Sequence, residues 1–89
     1  MTVTPVQPND GLPSAIDVLD AYRREAGLSH LELWLRYFEL GGISGRTDVE
    51  EILRGVLVTS DHDHDIIALT LNERFVELGR GHPVPYATA

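Results

Sequence analysis

Ser29–Leu40 reads SHLELWLRYFEL, and the way this stretch is turned decides how everything around it packs. Ser29 followed by Glu32 is a capping-box pattern: the serine side chain takes a backbone N–H of the first turn while the glutamate reaches back to the serine N–H, so a helix starts near His30. At the helical repeat, Leu31, Trp34, Leu35 and Phe38 fall on one stripe and Leu33, Tyr37 and Leu40 on an adjoining one. Only Glu32, Arg36 and Glu39 are left for water. A helix apolar over more than half its circumference either sits at the centre of a bundle or is covered by a partner. The first stripe is expected to face the core. Leu33, Tyr37 and Leu40, together with Trp34, are then the expected partner-binding residues, because three short neighbours cannot easily cover so much apolar surface.

Toward the N-terminus, AIDVLDAYRREAG (15–27) places Ala15, Ile16, Leu19, Tyr22 and Ala26 at near-helical spacing, with Asp17 early and Arg23 and Arg24 late, which suits the helix dipole. Gly27 supplies a left-handed stop. Toward the C-terminus, GGISGR ends the central helix, since paired glycines are costly in any helix. Thr47 and Glu50 form a second capping-box pattern, and Val49, Ile52, Leu53, Val56 and Leu57 fit the amphipathic template, with Gly55 as its weak point. A last helix is predicted from about Asp61 to Leu78, with Ile67, Leu71, Phe75 and Leu78 along one face, Ile66, Leu69 and Val76 beside it, and Gly79 as its stop. The expected fold is all-α: a single-domain bundle of about four helices (13–79), preceded by a flexible lead-in (1–12) and followed by an extended proline-containing tail (80–89) whose Val84 and Tyr86 could lie back across the bundle.

One domain is also what 89 residues allow, and apolar and charged fractions of 43% and 24% are those of a globular chain. No apolar run approaches the roughly 18 residues that a membrane span needs, and the first residues lack the basic start and apolar stretch of a signal peptide, so no membrane association and a cytoplasmic location are expected. With no cysteine there are no disulfides or thiolate sites. All seven basic residues are arginine, and the net charge of −7 repels a phosphate backbone, which argues against direct nucleic-acid binding. YRREAGLSHLELWLRYF has the outline of a helix-turn-helix, but a reading helix presents Arg, Lys, Asn or Gln near its start, and here His30, Glu32, Arg36 and Glu39 alternate with large hydrophobes.

The densest set of metal-ligating side chains is SDHDHD (60–65), with Asp and His in alternation. On a helix, residues two apart point about 200° from each other, so His62 and His64 cannot close on one ion. Asp61, His64 and Asp65 alone share a face. The same run is what a helix start prefers, with Ser60 or Asp61 as N-cap and acids in the first turn, and no metal or other cofactor is expected. No serine stands in a nucleophile pattern, LGGISGR lacks the lysine and strand of a phosphate loop, and the carboxylate pairs Asp17/Asp20 and Glu50/Glu51 read as solvated helix positions. No catalytic residue and no small-molecule substrate are expected. The sequence thus points to a small acidic helical interaction or regulatory module, self-associating as a homodimer or binding another protein; the alternative is a transcription-associated or metal-responsive regulator built on the helix 30–40 hairpin or the Asp61–Asp65 cluster.

Overall fold

Four helices follow one another in residues 18–87, the part of the chain that the computed structural model describes: α1 (Val18–Glu25), α2 (His30–Glu39), α3 (Arg46–Leu53) and α4 (Asp61–Glu77), with no strand among the described residues. The all-helical class expected from periodicity is therefore the observed one. The expected lead-in and the first residues assigned to helix one, Ala15 to Asp17, lie outside the described residues.

Glycine sets where each helix stops. Gly27, Gly41, Gly55 and Gly79 all have positive φ, a conformation that costs a side-chain-bearing residue energy. Each stands just past its helix and forms a Schellman closure; at α4, Gly79 N–H donates to Val76 O at 2.9 Å and Arg80 N–H to Phe75 O at 2.8 Å. Gly55 closes α3 in this way, and the expected continuation through Val56 and Leu57 is corrected: both are outside the helix and exposed. Apolar spacing past a glycine looked helical, but the left-handed residue redirects the chain. The start of α3 is corrected too. Gly45 is its N-cap and makes no side-chain cap bond, so the Thr47/Glu50 box does not form. At α2 the expected box is complete, with Glu32 N–H donating to Ser29 Oγ at 3.0 Å and Ser29 N–H to Glu32 Oε1 at 2.8 Å.

The longest helix, α4, packs on α1 and α2 and buries Ile66, Ile67, Ala68, Leu71 and Phe75. Each fully buried Ile, Leu or Phe side chain among these contributes about 1.5–3 kcal/mol. Leu33 and Tyr37 from α2, Val49, Ile52 and Leu53 from α3, and Ala26 and Leu28 at the end of α1 join the same core. The tail also joins it. Val84 is buried, and Asn72 of α4 holds its backbone at both ends: Asn72 Nδ2–H donates to Val84 O and Val84 N–H donates to Asn72 Oδ1, each at 2.9 Å. Tyr86 is partly buried against the core, and Arg80 lies 6.0 Å from the centre of the Phe75 ring.

Candidate interaction surface

The orientation of α2 is the reverse of that expected. Leu33 and Tyr37 are fully buried, at 0% exposure, whereas Leu31, Leu35 and Phe38 are 42%, 46% and 59% exposed. Leu40 is partly buried against the core. Leu33, Tyr37 and Leu40 are thus part of the chain's own interior and not the surplus stripe; the surplus stripe is the one made of Leu31, Leu35 and Phe38. Trp34, half-buried at its edge, packs on the core, and its ring centre is 5.5 Å from that of Phe38.

Polar chemistry explains the choice. Tyr37 carries a hydroxyl that must find partners if the ring is buried. Its O–H donates to Asp63 Oδ1 on α4, and its oxygen accepts the Ser44 N–H at 3.0 Å. Asp63, buried in the first turn of α4, also accepts Ser44 Oγ–H at 2.7 Å and Thr59 Oγ1–H at 3.4 Å, and its own N–H caps onto Ser60 Oγ at 3.1 Å. Burial, and then the hydrogen bond to the Asp63 carboxylate, push the Tyr37 phenol above its ordinary range. The ring lies so close to the α2–α3 loop that a Cβ at Gly42 would fall 2.1 Å from it, which only glycine permits. Trp34 Nε1–H donates to Ser44 O at 3.0 Å and ties the same loop to the outer edge of α2.

The inner side of α2 is also pinned at its start. Asp20 of α1 is buried and accepts from Arg23 Nε at 2.8 Å, from Arg24 and, at 3.1 Å, from His30 Nε2 when that nitrogen carries the proton; the other ring nitrogen of His30 lies 3.5 Å from Glu50 of α3. Burial pushes Asp20 up, but the bonds from Arg23 and His30 together outweigh it and hold the carboxyl below its ordinary value.

What α2 turns outward is therefore apolar. Leu31, Leu35 and Phe38 stand at i, i+4 and i+7, and with Trp34 they span about 100° of the helix, the width of a core-facing stripe, with no part of the described chain over its outer side. Ile43, 93% exposed, lies in the loop that Trp34 anchors. Glu32 and Glu39 follow next around the helix. Beyond them lies a shallow groove to α4 lined by Arg36, Glu39, Leu40, Glu73 and Glu77. Arg36 makes a two-pronged pair with Glu77 at 2.8 and 3.0 Å, and Arg74 adds a third contact at 3.1 Å. The Arg36 bond first, and then that of Arg74, pull the Glu77 carboxyl down to about 2.

The Asp61–Asp65 run is the start of α4, with Ser60 as N-cap and Asp61 and Asp63 in its first turn. Its alternation sorts the aspartates by environment: Asp63 goes into the core, Asp61 is exposed, and Asp65 accepts the Ala87 N–H of the tail at 2.6 Å. His64 Nδ1 lies 3.4 Å from Asp65 Oδ1. Among the described residues, no three Asp, Glu or His side chains are grouped so as to hold a metal ion, and no helix is long and apolar enough to cross a membrane. No family model, no curated protein and no solved structure matches the chain.

Proposed function

We propose that this chain is a small non-catalytic protein–protein interaction module, and that it docks through the outer face of α2. The observation carrying the reading is the stripe of Leu31, Leu35 and Phe38, left outward by a helix whose inner side is already satisfied by core packing and by the Tyr37–Asp63–Ser44 network. Each of these side chains gains about 1.5–3 kcal/mol if a partner removes it fully from water, less in proportion to what is already covered. The hot-spot pattern of interfaces, a few large apolar side chains around a central aromatic, fits Phe38 and Trp34. In the isolated protein the same face supports pairing of two copies about a twofold axis, the commonest closed arrangement.

Sedimentation equilibrium over a broad concentration range tests the reading. Wild type should show reversible dimerisation, and Leu35→Glu should abolish it while leaving the urea midpoint of the monomer unchanged. A dimer that Leu35→Glu does not disturb would place the docking face elsewhere, and a strictly monomeric wild type would exclude pairing of two copies through it.

A further inference from the structure

The outer face of α2 is apolar along its stripe and negative along one edge. Glu32 and Glu39 border Leu31 and Leu35, and Glu39 shares the groove to α4 with Glu73 and Glu77, three carboxylates against the guanidinium of Arg36 in the groove and that of Arg74 beside Glu77. Both nearby arginines, Arg36 and Arg74, are committed to Glu77, and Glu39 and Glu73 make no ion pair among the described residues. In an isologous pair with the two α2 helices antiparallel each copy would bring this acidic border against its own image, and in either orientation the two chains each carry −7. Salt would have to screen that repulsion before the stripes could meet.

A different occupant resolves the conflict. We propose that the outer face of α2 takes up a basic amphipathic helix of another protein, its apolar stripe lying over Leu31, Leu35 and Phe38 and its Lys or Arg residues facing Glu39 and Glu73. The inference rests on the outer face of α2 being the docking face and adds the charge and form of what docks there. The ten residues of α2 make a seat about 15 Å long, matching about three turns of a partner helix laid alongside. Helix-on-helix recognition reads apolar anchors at i, i+3/4 and i+7, the spacing offered here, while the charged border supplies orientation and on-rate.

The test is fluorescence anisotropy of the full chain with a labelled leucine–lysine peptide of about five turns, its leucines on one stripe and its lysines beside it. Two control peptides have glutamate in place of lysine, or the same composition scrambled to destroy the stripe. The striped lysine peptide should bind and both controls should fail. Binding should weaken as salt rises to about 1 M, where the screening length is only about 3 Å, whereas pairing of two copies should strengthen over the same range. Glu39→Gln and Glu73→Gln should each weaken peptide binding about 2- to 5-fold, the range of an exposed ion pair. Leu35→Glu should abolish it, and Leu35→Ser, which adds no charge, should weaken it strongly, with circular dichroism confirming that both variants are folded. Equal binding of the scrambled or glutamate peptide, or lysine-peptide binding that survives both Leu35 variants, overturns the proposal. If wild type dimerises through α2 yet ignores the lysine peptide, the docking face stands and the inference about its partner falls; if it does neither, both fall.

Discussion

Leu33 and Leu35 are the same residue two positions apart on one helix, about 200° apart around it, and truncating each to alanine measures which way α2 is turned. Leu33 has no exposed surface, and removing its side chain beyond Cβ leaves a cavity among rigid neighbours, with a cost of about 2–5 kcal/mol. Leu35 is 46% exposed on the opposite side, and its truncation should stay within about 0.5 kcal/mol, since no core contact is lost and alanine is the better helix former. A domain of this size has on the order of 5 kcal/mol of stability, so Leu33→Ala should be close to unfolded at room temperature. Each kcal/mol corresponds to about 4–8 °C in Tm for a domain of 60–100 residues, which puts the Leu33→Ala melt roughly 10 °C or more below wild type. Trp34 is the single tryptophan, half-buried and bonded to Ser44 O, so its fluorescence reports urea unfolding directly. Equal losses for the two variants, or a larger loss for Leu35→Ala, would refute the orientation and with it the identity of the outward stripe.

Tyr37→Phe keeps the ring but removes a donor to the Asp63 carboxylate and an acceptor for the Ser44 N–H; chemical denaturation should show a loss of about 2–4 kcal/mol, moderated because Asp63 retains Ser44 Oγ. Asn72→Ala leaves the buried N–H and C=O of Val84 without their partners, so it should cost about 1–3 kcal/mol and speed hydrogen exchange at Val84 before the rest of the core loosens. Ser60→Ala removes the N-cap of α4 at a cost of about 0.5–2 kcal/mol in thermal unfolding, whereas His62→Ala, on the exposed side, should change little. Glu77 has a folded-state value of about 2, below its ordinary 4.5. A depressed carboxylate stabilises the fold fully above its unfolded value, and that contribution is lost as pH falls from about 4.5 toward about 2. The acid limb of an unfolding titration should therefore be flatter in Glu77→Gln than in wild type; superimposable limbs would count against the Arg36–Glu77–Arg74 arrangement.

Local rules carried most of the architecture. Ser29 with Glu32, Ser60 before an acidic turn, and glycine after each apolar run are decided within a few residues of chain, and α1, α2 and α4 end where these signals put them. Where two local signals disagreed, as at Gly55, the backbone preference of glycine prevailed over side-chain periodicity, because a positive φ redirects the chain whatever follows it. The face of α2 was a question of another kind. By hydropathy, Leu31–Trp34–Leu35–Phe38 is at least as good a core stripe as Leu33–Tyr37–Leu40, and nothing within the helix ranks them. What ranks them is a phenol hydroxyl that can be buried only if a carboxylate 26 positions later, a serine in the next loop and a glycine without a side chain all arrive beside it. The same dependence accounts for the middle aspartate of the Asp61–Asp65 run, Asp63, which is buried as the partner of the Tyr37 hydroxyl. Polar satisfaction across the fold thus chose the inner face, and the more apolar face was left outward as a consequence. Hydrophobicity on α2 exceeds what the described chain itself covers, and that surplus, bordered by Glu32 and Glu39, is the physical basis for the proposal that a partner covers this surface.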